Sequence, residues 1–108
     1  METYNLTEYH NGWFIGNFSP SIIKTEKMEL AIKRYTQWQR ESKHVHKEAD
    51  EITVIVEGTV LMNGQILGKN TIIYLKAGEA ADFFALTEAI TCVMKTPSVI
   101  GDKHPVPE

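Results

Sequence analysis

A single cysteine, Cys92, excludes any intramolecular disulfide in this 108-residue chain. It lies in the apolar run Ile90-Thr91-Cys92-Val93-Met94 and reads as a small core residue rather than a nucleophile. No apolar stretch reaches the length needed to span a bilayer. The first eight residues have neither the basic nor the apolar part of a secretory leader. A cytoplasmic protein without a membrane partner is the simplest expectation. Positive charge is not in excess either: 11 basic side chains stand against 14 acidic ones, a formal net charge of −3. Lys24, Lys27, Lys33 and Arg34 are interrupted by Glu26 and Glu29, which reads as a mixed solvated face. With no basic patch interleaved with aromatics, no nucleic-acid partner is expected. Repeats, low-complexity tracts, interdomain linkers, Ser-His-Asp sets, Gly-rich phosphate loops and zinc-finger spacings are all missing.

What remains is an ordinary globular composition, 43% hydrophobic and 23% charged, at a length that suits one domain with one core. The first dozen residues are polar, with scattered Tyr4, Leu6 and Tyr9, and suggest an arm or irregular edge. Trp13-Phe14-Ile15 between two glycines reads as a short strand, and Ser19-Pro20-Ser21 as a turn. Residues 26–40 fit two patterns. Met28, Ala31, Ile32 and Tyr35 recur at helical spacing, while Met28, Leu30 and Ile32 also alternate as on a half-buried strand. Beyond residue 50 the signals agree on strands: 52–56, 59–62, 71–75 and 90–95 are short and rich in β-branched residues. Asn63-Gly64 predicts a two-residue type I′ hairpin turn. Pro97, Pro105 and Pro107 remove ladder donors, so the tail at 97–108 is expected to be a loop or a strap.

The chemistry concentrates between His44 and Gly58. Two histidines at i and i+2 share one face of an extended strand, so His44 and His46 can converge. Glu51 lies past a turn, where its carboxylate can face the same point. It is one acid of three in the run Lys47-Glu48-Ala49-Asp50-Glu51, and a solvated charge is the competing reading. Two imidazole nitrogens and a carboxylate suit a borderline divalent metal: Fe, Mn, Ni, Co or Zn.

His44-x-His46-x4-Glu51-x6-Gly58 resembles the first signature motif of the cupin superfamily, small β-barrels that often hold a metal inside. The order that follows, through Asn63-Gly64, Gly68, Thr71 to Leu75 and Lys76-Ala77-Gly78-Glu79-Ala80-Ala81, is similar to the family's route to its second motif. That motif departs from the pattern: Lys76 stands where Pro is common, and Ala81 where a third histidine usually stands. The resemblance implies an all-β, cupin-type barrel (a double-stranded β-helix or jelly roll) with its core over residues 28–96, and it selects a strand for the ambiguous segment. It implies a divalent metal on His44, His46 and Glu51, and a pocket for a small organic molecule, sugar- or carboxylate-like. Trp38, Ala81, Asp82 and Phe84 are the expected pocket residues, with Asp82 facing inward only if the strand bulges. His10 and His104 are expected at the surface. Many cupins pair, and a homodimer is expected here, with Trp13-Phe14-Ile15 and the arm as candidates to cross over. Loss of the third histidine leaves two alternatives open: a non-catalytic binding, sensory or accessory cupin, and a metal-free sugar isomerase using a histidine with a tyrosine.

Overall fold

The computed structural model describes residues 1–107 and is built from two five-stranded antiparallel sheets. Ten strands follow in chain order: β1 (Trp13–Ile15), β2 (Glu29–Tyr35), β3 (Arg40–Val45), β4 (Asp50–Glu57), β5 (Val60–Met62), β6 (Gln65–Leu67), β7 (Ile72–Leu75), β8 (Ala80–Ala85), β9 (Ala89–Thr96) and β10 (His104–Pro105). One sheet runs β1-β2-β9-β4-β7, the other β10-β3-β8-β5-β6. Apart from β1–β2 and β5–β6, each pair within one sheet, sequence neighbours alternate between sheets, the connectivity of a double-stranded β-helix.

The ambiguous segment is a strand. Its seven-residue ladder with β9 pairs Glu29 with Lys95 through Tyr35 with Ala89, and tertiary pairing overrides helix propensity. Its phase, however, is opposite to the apolar alternation. Ala31 and Tyr35 are the buried positions, while Leu30 and Ile32 are only half-buried. Cys92 likewise lies on the outward phase of β9, half-buried between Thr91 and Val93, rather than in the core.

The apolar core is packed towards one end of the barrel and reaches the cavity at the other through Tyr35, Met62, Ala81 and Phe83. Tyr35, Ile55, Val60, Met62, Ala81, Phe83, Ala85 and Ala89 form the core, flanked by Leu67, Ile73 and Leu75. Tyr35 and Phe83 stack with ring centroids 4.4 Å apart, tilted by 33°. At the hairpin between β5 and β6, Asn63 and Gly64 have φ of 48° and 77°, as a type I′ turn requires. Both ends of the chain are folded back onto the sheets. Two short 3-10 turns, Leu6–Glu8 and His10–Gly12, lead into β1. Strand β1 then pairs with β2 of its own chain, so Trp13-Phe14-Ile15 closes its own sheet edge. The tail returns as a strap whose β10 pairs with Val45 and His44 of β3.

Gly58 ends β4 with φ of 92°, and a side chain there would collide with the Glu88 carbonyl and Ala89. This packing of backbone on backbone explains why the first motif ends in glycine. Gly58→Ala should cost at least about 1–3 kcal/mol in denaturant unfolding, whereas Gly68→Ala, with open space around it, should stay within roughly 0.5 kcal/mol of the parent. Equal stability of the two variants would refute the close approach.

Candidate functional site

The other end of the barrel holds a cavity of about 180 Å³ with a polar wall. From the first sheet come Lys33 and Tyr35 of β2, Glu51 and Thr53 of β4, and Thr91, Val93 and Lys95 of β9; from the second come Glu41, His44, Met62, Ala81 and Phe83. His46 lies just past the end of β3. The first sheet's contribution follows from period-two alternation. In the second sheet alternation alone cannot place both Glu41 and His44 inward. A bulge in β3 does so: Glu41 stands opposite Phe83, but His44 stands opposite Ala81, one residue out of register. Past the bulge the inward positions of this segment are the even-numbered ones, which delivers His44 and His46 together.

The two imidazoles sit edge to face with centroids 5.1 Å apart. Each is oriented through Nδ1 by a backbone carbonyl at 2.9 Å, Ser42 for His44 and Asp102 for His46. An Nδ1–H donated to each carbonyl leaves Nε2 as the lone-pair nitrogen, the tautomer a metal ligand needs. His46 is 5% exposed, and its Nε2 has no hydrogen-bond partner. Glu51 Oε1 lies 3.6 Å from that nitrogen. Burial pushes the pKa of His44 down, aided by the nearby positive charge of Lys103, so its imidazole is neutral near pH 7. Burial alone would raise the pKa of Glu51, but the adjacent His46 ring and the ammonium of Lys95 outweigh it, and the carboxyl is held below its usual range.

In kind, these donors fit a borderline divalent ion: an orphaned imidazole nitrogen, a second imidazole in the same tautomer, and an ionised carboxylate. In position, His46 and Glu51 come together and His44 stands beside them. Among the described residues no three His, Cys, Asp or Glu side chains are gathered closely enough to hold a metal. Ala81 is opposite His44, buried at 4% exposure, so a methyl group faces the space beside the imidazoles. Asp82 reaches the cavity wall, but its Oδ1 accepts the Asn63 N–H at 2.7 Å, and its N–H donates to Asn63 Oδ1. Its carboxylate braces the β5–β6 turn. Trp38 is 61% exposed in the β2–β3 turn, stacked on Phe84 with centroids 5.9 Å apart, and both lie outside the cavity lining. Phe84 is on the outward phase of β8; Phe83 and Tyr35 take the places expected of Phe84 and Trp38.

The sequence reading missed the lysines and Asp102. Lys33, assigned to a solvated face, turns inward and pairs with Glu41 at 2.8 Å. Its contact with Tyr35 and Glu41 raises its pKa against the effect of burial. Burial drives the Tyr35 phenol up to about 12, Lys33 offsetting only part of the rise, so it stays neutral and can donate. Lys95 sits between Glu29 and Glu51 in a cross-strand row, and burial lowers its pKa despite both carboxylates. Lys103, on the strap, completes the basic side of the cavity.

Asp102 is the strap's anchor. It is 7% exposed, and its carboxylate accepts N–H groups from Lys47, Glu48 and Ala49 at 2.9 to 3.2 Å. His104 Nε2 lies 3.8 Å from Oδ1 and is only partly exposed. Burial alone would raise the Asp102 pKa, but the three amides outweigh it and hold the carboxyl below its ordinary value. A depressed folded-state pKa adds stability above the ordinary carboxyl value, and that contribution is lost as pH falls through and below it. Asp102→Asn should therefore cost about 1–3 kcal/mol near pH 7, and the gap to the parent should narrow below about pH 4. Urea titrations across pH would check this; a gap that widens in acid would refute it.

No family model matches the sequence, and no curated protein matches it either. Solved structures do match in fold. An uncharacterized conserved protein with a double-stranded beta-helix domain from Klebsiella pneumoniae superposes with a TM-score of 0.69 at 17% identity, over 92% of this chain and 87% of that one. An RmlC-like cupin from Shewanella frigidimarina gives 0.64 at 15% identity, over 71% of each. The DMSP lyase DddQ from Ruegeria pomeroyi gives 0.72 at 15% identity, over 87% of this chain but 49% of that one. With its ten strands divided between two five-stranded antiparallel sheets and its polar cavity at one end of the barrel, this chain has the cupin fold.

Proposed function

We propose that the protein binds a small carboxylate-bearing or sugar-like molecule at a divalent metal held by His44, His46 and Glu51. The observation that carries this reading is His46 Nε2: a buried nitrogen without a hydrogen-bond partner, its ring fixed from the far side by the Asp102 carbonyl, with the Glu51 carboxylate 3.6 Å away. A buried polar atom left unpaired costs on the order of 1–3 kcal/mol, which a bound ion would recover. Binding would draw the His44 imidazole toward the His46–Glu51 pair. The ion would supply positive charge to polarise a ligand oxygen. The chain's own groups do the rest: Lys103 and Lys95 offer ammonium donors to an acidic ligand, and Tyr35 offers a neutral O–H or hydroxyl oxygen.

A second reading, anion binding without a metal, is favoured by the three lysines on the wall, Lys33, Lys95 and Lys103. Chelator-treated protein still stabilised by small carboxylates would select it. Strand β7 ends its sheet, paired only with β4, and carries exposed Ile72 and Tyr74. Such an edge needs a cover, and we infer a homodimer formed there. Sedimentation at micromolar concentration should give twice the chain mass; a monomer would reject it.

Protein purified without added metal or chelator should contain a divalent ion by elemental analysis. His44→Ala, His46→Ala and Glu51→Gln should each lower the content at least tenfold, the loss of one ligand corresponding to about 1.4 kcal/mol or more. His10→Ala and His104→Ala should not. Added metal should raise the melting temperature of the parent, because only the folded state binds it. Equal metal content in all five variants would reject the site.

A further inference from the structure

A second concavity adjoins the metal-site cavity and has the opposite character. It is a groove of about 390 Å³ between the turn after β1 and the strap after β9. Trp13, Phe18, Pro20, Val99 and Ile100 supply its apolar surface. Ile100 is 78% exposed on it, a large aliphatic side chain left in water. The two concavities share part of their walls. Trp13, Lys95 and Lys103 line both.

The junction is basic. Lys95 Nζ lies 4.9 Å from the centroid of the Trp13 ring and 3.8 Å from Glu29 Oε1, a loose pair, with its side chain 14% exposed. Lys103 makes no ion pair among the described residues. A molecule lying across this junction would meet the Lys95 and Lys103 ammonium groups, beside the imidazoles and the Glu41 and Glu51 carboxylates, at one end and aromatic and aliphatic side chains at the other. Neither half alone explains the pair: a small hydrophilic acid leaves Ile100 and Phe18 exposed, and a plain hydrocarbon leaves Lys103 without an ion-pair partner.

We propose that the ligand is an amphipathic monocarboxylate, whose head enters the cavity at Lys95 and Lys103 and whose aliphatic or aromatic tail lies in the groove against Trp13, Phe18 and Ile100. This rests on the reading of the cavity as a carboxylate site and narrows the ligand class. The carboxylate offers Lys95 a partner without displacing Glu29, and the indole of Trp13 forms the wall that head and tail share. Burying the tail removes Ile100 from water.

Titration of the protein as purified with straight-chain acids from butanoate to octanoate, followed by NMR amide shifts, tests it. Each added methylene should tighten binding roughly three- to fourfold while the groove has room, with the largest shifts at Ile100 and Gly101. Ile100→Ser and Phe18→Ser should flatten the series, weakening octanoate binding several-fold more than butanoate binding. Lys103→Gln should weaken every member several-fold. Ile100 lies outside the packed core, so that variant remains informative even if Phe18→Ser fails to fold. An affinity independent of chain length, or a length dependence that Ile100→Ser leaves intact, would overturn the groove while the carboxylate site stands. Failure of every acid to bind would overturn both.

Discussion

The shape of the site depends on one buried carboxylate. Asp102 gathers three consecutive amides of the segment after β3, and its own carbonyl fixes the ring of His46. Those contacts join residues more than fifty positions apart. The segment they hold has no strand partner of its own, so its amides would otherwise need water or another acceptor. Side chain and main chain of one residue therefore do two jobs: the carboxylate sets the path of residues 47–49, and the carbonyl sets which nitrogen His46 presents. The Gly78 N–H, donated to the His46 carbonyl at 2.7 Å, closes the same segment from the other side. The histidine is held at its ring and at its backbone before any ligand arrives.

A second constraint is the division of the barrel into an apolar and a polar end. Ile55, Val60, Ala85 and Ala89 are almost wholly buried at one end, and their packing can tolerate charge at the other. There, Glu29, Lys95 and Glu51 form a row across three neighbouring strands, and Lys33 and Glu41 form a pair between the two sheets. Opposite charges at adjacent cross-strand positions limit the cost of removing each from water. The bulge in β3 then brings His44 into the same space. Charge, bulge and strap are separate devices, yet all act on the few ångströms around His46.

Most of the fold was legible because strand and turn chemistry are local. The type I′ turn at Asn63-Gly64, the β-branched runs after residue 50 and the strap implied by the prolines all appear where the residues placed them. The phase of β2 was not legible. Leu30 and Ile32 advertise an apolar face, but the interior at that end of the barrel is polar, so Lys33 goes in and the apolar side chains stay half-exposed. The rule that apolar faces point inward fails at this end for a physical reason: the interior there is polar, and Lys33 finds Glu41 inside it. Asp102 had no local signal at all. An Asp after Gly in a proline-rich tail looks like a turn residue, and only the folded chain reveals the three amides it meets.

Position 81 shows how a departure from a motif can be read structurally. The pattern that places histidines at 44 and 46 usually continues with a third, and alanine there is buried directly across from His44. The small side chain leaves volume where an imidazole would stand, on the side of the cavity opposite the row of Glu29, Lys95 and Glu51. Loss of a ligand weakens the grip on an ion, but the same loss opens room beside it. With lysines on the facing wall and an apolar groove beyond Trp13, that room is bordered by groups that favour an acidic head with a greasy tail. If the proposed function holds, alanine at this position would give to the organic ligand the part of the interior that a third imidazole would have filled.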